Sequence, residues 1–180
     1  MFKHTVLINE EKIQERLQNL GAQINADYEG QELDIICILK GSIVFLADLM
    51  RRLSIPVRIH FLHVSSYGDD AESSGTINLH FSSVTEDLKD RNVLIVEDIL
   101  DTGITMDYLL KQLREEHPTS MKVCVLLDKP SRRKIELRSD YIGFEIEDHF
   151  VIGYGLDFRE LGRNLPYIAE LDPSEYANPR

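Results

Sequence analysis

VLIVEDILDTGIT, residues Val93 to Thr105, is an apolar run that ends in two adjacent carboxylates and is followed by an Asp-Thr-Gly turn. Val93, Leu94, Ile95 and Val96 have the continuous β-branched character of a strand in a parallel sheet covered on both faces. Glu97 and Asp98 then fall at the carboxyl end of that strand, the edge at which open α/β sheets bind ligands. There they can accept hydrogen bonds from vicinal hydroxyls. Asp101, Thr102, Gly103 and Thr105 supply a turn rich in backbone N–H and hydroxyl donors, and a helix starting near Thr105 continues through MDYLLKQLREE. A helix start of this kind attracts a phosphate. An ordinary capped junction of strand and helix would account for the turn but not for the acid pair before it. The order of the parts points to a site for a sugar phosphate.

Working outward, Asn9 with Glu10 and Glu11 marks a helix start, and Ile13, Leu17, Leu20 and Ile24 recur at helical spacing up to about Ala26. LDIICILKG reads as a buried strand, SIVFLADLMRRL as the helix crossing over from it, and VRIHFLHV after Pro56 as a second long strand. Ser65 to Thr76, SSYGDDAESSGT, is almost free of apolar side chains and is expected to be a loop. INLHFSS then returns as a strand, so that loop and strands form a long antiparallel flap. Lys122 to Leu127 begins a further strand. This alternation predicts a doubly wound, mainly parallel α/β sheet flanked by helices, and the 180 residues fit one domain, 1–180. YIGFEI, FVIGYG and LPYIAEL are short strand-like pieces without a long helix between them.

Twenty basic against thirty-one acidic side chains leave a formal charge of −11, which argues against nucleic acid or an anionic membrane as partner. No general field attracts an anion to such a chain, so a phosphate must be held by backbone donors, a few placed Lys and Arg residues and a divalent metal. Cys37 and Cys124 sit inside apolar strand runs and read as reduced, buried thiols. No apolar run is long enough to span a bilayer and the first residues lack a signal-peptide segment, so the expected location is cytoplasmic. The six histidines show no metal-site spacing. His60 and His63, three apart on one strand, face opposite ways.

The run from Val93 to Thr105 resembles the phosphoribosyl-pyrophosphate (PRPP) signature of the type I phosphoribosyltransferases. LKGS at Leu39 to Ser42, SSYGDD at Ser65 to Asp70, LLDKPSRR at Leu126 to Arg133 and DHFVIGYGLDFRELGRNLPYI at Asp148 to Ile168 follow in that family's order. The whole chain is similar to the bacterial-type hypoxanthine (hypoxanthine-guanine) branch of the family. The resemblance implies a five-stranded parallel core beneath a small hood, in which the C-terminal part with YIGFEI, FVIGYG and LPYIAEL joins N-terminal segments. It also implies transfer of a phosphoribosyl group from PRPP to hypoxanthine or guanine, with release of pyrophosphate and formation of IMP or GMP. Mg²⁺ as cofactor and a homo-oligomer, dimer or tetramer, are implied as well.

By the same resemblance, Asp101 is the base at the purine N7, while Glu97 and Asp98 hold the ribose hydroxyls and lie near magnesium with Asp157. Thr102, Gly103, Ile104 and Thr105 form the 5-phosphate loop. Ile104 departs from the polar or basic residue of many relatives, which leaves the backbone contribution but weakens the side-chain one. Lys40 and Gly41 match the pyrophosphate loop, in which relatives carry a cis peptide between the residues matching Leu39 and Lys40, and Arg163 matches a pyrophosphate contact. Lys129 donates to the purine 6-oxygen, Phe150 stacks on the base and Val151 offers its backbone to the base edge. Because lysine carries only donors, Lys129 favours a 6-oxopurine over adenine. Ser66 and Tyr67 form the flap tip, and Arg132 and Arg133 reach a neighbouring subunit's site in related oligomers. Two other readings are a PRPP- or nucleotide-sensing regulator, which calls for a basic stripe that this chain lacks, and a transferase for another base such as xanthine.

Overall fold

The computed structural model describes residues 2–65, 78–80 and 88–177. The main sheet contains β2 (Leu33–Leu39), β3 (Val57–Ser65), β4 (Asn78–His80), β5 (Asn92–Leu100), β6 (Ser120–Asp128) and β7 (Tyr141–Glu145). Their order is β4-β3-β2-β5-β6-β7. All neighbours run parallel except β4, which is antiparallel to β3. Successive side chains of a strand face opposite ways, and here both ways are apolar. Ile35, Cys37, Leu94, Val96, Cys124 and Leu126 join one core with Ile13, Leu17, Leu20 and Ile24 of α1 (Glu10–Asp27) and Phe45, Leu46 and Leu49 of α2 (Ile43–Met50). Ile36, Ile38, Val93, Ile95, Val123 and Val125 join the other with Met106, Leu109, Leu110 and Leu113 of α3 (Ile104–Arg114).

The α1 start is the one expected: Asn9 Oδ1 accepts from Lys12 N–H at 3.1 Å, and Glu10 and Glu11 occupy the first turn, where the helix dipole favours acids. A second, three-stranded antiparallel sheet joins β1 (His4–Ile8), β9 (Ile168–Leu171) and β8 (Val151–Ile152), which pairs an N-terminal strand with C-terminal ones. One expectation is corrected. The YIGFEI piece belongs to the main sheet, where β7 pairs parallel to β6 with Cys124 opposite Tyr141 and Asp128 opposite Glu145. It is the fifth parallel strand. Its outer edge is capped by Arg16 of α1, whose Nε donates to the carbonyl of Gly143 at 2.9 Å, which removes an open hydrogen-bonding edge.

Lys122 clamps the first helix to this edge. Its Nζ lies 2.8 Å from Asp27 and 5.4 and 5.1 Å from the ring centres of Tyr28 and Tyr141. Both cysteines are free and buried, and burial raises the thiol of each. No described helix is long and apolar enough to cross a membrane.

Candidate active site

Everything of chemical interest gathers at the carboxyl ends of β2, β5 and β6. Strand β5 carries Glu97 and Asp98 and runs on to Leu100, and the two acid side chains meet in a hydrogen bond to one another. Asp98 Oδ1 accepts from Ile99 N–H at 2.8 Å. Burial, and then the neighbouring charge of Asp98, push the Glu97 carboxyl well above the usual carboxylate range. Asp98 is raised by burial too, against the opposing pull of the Ile99 N–H and the weaker one of the Arg163 charge.

Beyond Leu100 the chain turns through Asp101 and Thr102 to Gly103, which has φ +83°, a left-handed conformation that suits glycine. Helix α3 then begins at Ile104, one residue earlier than read from sequence. Leu39, Glu97, Asp101, Thr102, Gly103 and Thr105 are among the residues that line a cavity of 250 Å³ in front of this helix start. The Ile104 side chain is exposed, and its N–H approaches Thr102 Oγ1 at 3.4 Å. Opposite stands the loop after β2. Its Leu39–Lys40 peptide is cis. A Cβ on Gly41 would lie 1.6 Å from Asp98 Oδ2, so the backbone of this loop presses directly on the acid. The buried Ser42 hydroxyl donates to the Ile38 carbonyl and closes the loop back onto its strand.

Lys129 follows β6 and is 8% exposed, far from the solvated strand-end charge that a lysine usually is. Its Nζ donates to the His149 carbonyl at 2.6 Å and lies 3.7 Å from Asp148 Oδ1. Phe150 is 41% exposed, with Tyr176 stacked on it at 5.2 Å and Phe158 meeting it edge-on at 5.5 Å. Val151 is buried in β8 opposite Glu170. Asp101 Oδ1 accepts from Arg132 Nε at 2.7 Å.

Arg163 is ion-paired to Asp157 at 2.7 Å and donates to the Gly155 carbonyl at 2.9 Å, while Lys40 reaches Glu160 at 3.1 Å. Asp157 is thus engaged by Arg163, and among the described residues no group of three or more His, Cys, Asp or Glu side chains is arranged to hold a metal. Glu97 and Asp98 are adjacent hard oxygen ligands, a donor set that fits magnesium, and they would be the residues to hold it. Ser66 and Tyr67 lie outside the described residues. Arg132 and Arg133 are both engaged within the chain, Arg132 by Asp101 and Asp148 and Arg133 by Asp128. The sequence reading assigned no part to Asp148, Ser42 or Tyr176. Only the charge pattern around DKPSRR could have hinted at the first.

Comparison with known proteins agrees with this geometry. The phosphoribosyl transferase domain family model matches residues 7–159. The hypoxanthine-guanine phosphoribosyltransferase of Staphylococcus aureus is 44% identical over 173 residues, 96% of each chain. That of Bacillus subtilis is 42% identical over 179 residues, 98% of this chain and 99% of its own. The crystal structure of a Bacillus anthracis hypoxanthine-guanine phosphoribosyltransferase superposes with a TM-score of 0.89 at 43% identity, over 96% of this chain and all of that one. With the acid pair, the glycine turn and the parallel sheet in the same order, this chain belongs to the type I phosphoribosyltransferase family and is closely related to its bacterial hypoxanthine-guanine members.

Proposed function

We propose that the protein transfers the 5-phosphoribosyl group of PRPP to N9 of hypoxanthine or guanine, releasing pyrophosphate and giving IMP or GMP. N9 forms a bond to C1 of the ribose as the bond from C1 to the pyrophosphate oxygen breaks. The protein's tasks are positioning, charge stabilisation and one proton transfer. Gly103, Thr102 and Thr105 offer backbone and hydroxyl donors to the 5-phosphate at the start of α3. Glu97 and Asp98 receive the ribose hydroxyls, and the loop at Lys40 and Gly41, with Arg163, receives the leaving pyrophosphate. Asp101 takes the proton from the N7 side of the base.

Magnesium is the cofactor of this reading. Glu97 and Asp98 would hold it, with Asp157 nearby, and when bound it supplies positive charge that balances the phosphates. The chemistry of the pair supports this: two adjacent carboxyls are hard oxygen ligands, and the charge of Asp98 beside Glu97 is one that a cation would relieve.

One observation carries the substrate: the charged group of Lys129, almost wholly buried, stands at the end of β6, next to the strand that bears the acids. A buried ammonium with only donors selects a carbonyl, so the base is a 6-oxopurine; adenine would bring an amino group against it. Phe150 supplies the stacking face. The flap carrying Ser66 and Tyr67 would exclude water from PRPP during reaction. The setting is purine salvage in the cytoplasm, and the working form is a homo-oligomer, dimer or tetramer. Purified protein given PRPP, Mg²⁺ and competing bases should consume hypoxanthine and guanine in preference to adenine and uracil. Preferential use of adenine or uracil would refute the reading.

A further inference from the structure

Asp101, Arg132, Asp148 and Lys129 form a line of alternating charge drawn from three separate segments. Arg132 Nε donates to Asp101 Oδ1 at 2.7 Å, and its Nη1 donates to Asp148 Oδ2 at 3.0 Å. The other oxygen of Asp148 lies 3.7 Å from Lys129 Nζ. The line therefore runs from the proposed base at N7 to the lysine proposed to read the 6-oxygen, two neighbouring positions on one edge of a purine.

We propose that Arg132 is a positioning residue: it fixes the Asp101 carboxylate for proton uptake and, through Asp148, ties it to Lys129. This rests on the reading of Asp101 as the proton acceptor. Among the described residues Asp101 Oδ2 has no hydrogen-bond partner, so the arginine occupies one oxygen and leaves the other for the substrate. Arg132 is itself fixed. It ends a 3-10 turn, Pro130–Arg132, opened by a proline and closed by Arg132 N–H to Lys129 carbonyl at 3.1 Å. The next residue, Arg133, is tied to Asp128 by an ion pair that is 13% and 8% exposed. The fork of a guanidinium can hold two carboxylates from two directions, which a lysine cannot do.

Stability does not explain the arrangement. The side chains of Arg132, Asp101 and Asp148 are 45%, 38% and 52% exposed, and exposed pairs contribute at most about 1 kcal/mol each. A guanidinium so exposed can be changed without unfolding the protein. What it controls is orientation, and a catalytic group misplaced by about 1 Å can lose about 100-fold in rate.

The experiment is a double-mutant cycle of Arg132→Gln with Asp101→Asn, with Arg132→Lys alongside, reading kcat and both KM values and checking each melting temperature. Expected is a fall in kcat of about tenfold for Arg132→Gln. Its PRPP KM and melting temperature should be unchanged, Arg132→Lys should recover part of the loss, and Arg132→Gln should cause no further fall in the Asp101→Asn background. Full turnover by Arg132→Gln, or an equal fall in both backgrounds, would overturn the proposal while leaving Asp101 as base. Full turnover by Asp101→Asn would overturn the base assignment and this proposal with it.

Discussion

Replacing Gly41 by alanine adds one methyl group, and the structure says where it goes. The new Cβ would stand 1.6 Å from Asp98 Oδ2 and 2.6 Å from Asp98 Cγ, whereas real Cβ contacts are essentially never under 3.0 Å. The carboxylate must retreat by about 1.4 Å or rotate away, and the Ile99 N–H that holds Oδ1 at 2.8 Å resists both. Gly41 does not have a positive φ, so alanine meets no backbone strain there. The collision is therefore with the Asp98 side chain and not with the backbone. If Asp98 receives the ribose hydroxyls as proposed, a shift of more than about 1 Å costs about 100-fold in kcat/KM for PRPP. Steady-state kinetics and a melting curve measured on the same preparation test this: activity should collapse while the melting temperature moves little. Gly155→Ala is the contrast, because there φ is +100° and the added Cβ would lie 2.1 Å from the Gly41 carbonyl, so that backbone must move and the melting temperature must drop. If Gly41→Ala retained near-normal kcat/KM for PRPP, the contact between this loop and Asp98 would not matter to substrate binding, and Asp98 would not receive the ribose hydroxyls.

Lys129→Ala should raise KM for the purine by about tenfold or more, since it removes a charge-assisted hydrogen bond of about 1.5–3 kcal/mol. A loss confined to PRPP would contradict the assignment. Glu97→Gln should stabilise the empty protein in thermal melts at pH 8 and weaken PRPP binding. The sign follows from burial: the folded carboxyl has a raised pKa, so stability is lost as pH climbs from the ordinary carboxylate range to that raised value and the loss is complete above it, and the difference from wild type should fade as pH falls back into the ordinary carboxylate range and the proton returns in both states. A pH-independent difference would remove the electrostatic cause. Lys122→Ala should destabilise by about 1–2 kcal/mol, read by chemical denaturation, because an ion pair to Asp27 and contacts to two tyrosine rings are lost together. No change would mean that α1 is held to the sheet by its apolar face and its other polar contacts, such as that of Arg16 to Gly143, without help from Lys122.

The central strand was legible because its apolar run is continuous and its two acids interrupt it at the ligand-binding edge, a local pattern that needs no tertiary knowledge. The α1 boundaries were legible for the same reason, with Asn9 at the cap and Ile13, Leu17, Leu20 and Ile24 on one face. YIGFEI was different. It is five residues of strand with Gly143 at its centre, and nothing local says whether such a piece joins one sheet or another; Arg16, far away in α1, covers its edge. The burial of Lys129 was equally invisible. A lysine after an apolar strand is normally solvated, and only the return of the chain at His149, whose carbonyl meets its ammonium, encloses it. The partners of Arg132 come from the β5–α3 turn and from the loop before β8, so sequence offered the charge but not its destination.

A chain with a formal charge of −11 that is to hold a polyphosphate must keep its few site cations from collapsing onto its own acids in unproductive ways. The arrangement around the loop at Lys40 and Gly41, proposed to receive the pyrophosphate, meets this need by pairing them in advance. Lys40 is held by Glu160, and Arg163 by Asp157, Glu160 and the Gly155 carbonyl. Glu160 and the Lys40 side chain are well exposed, 67% and 56%, so their pair is weak enough in water to be exchanged for a phosphate oxygen. Arg163 and Asp157 are only about a quarter exposed and form the firmer half. The hood loop that carries both Asp157 and Arg163 rests on Gly41 through Gly155, which places the firm pair against the same backbone that presses on Asp98. Preorganisation of this kind replaces long-range attraction: the protein's overall field repels the substrate, and recognition depends on short-range donors already in position when it arrives.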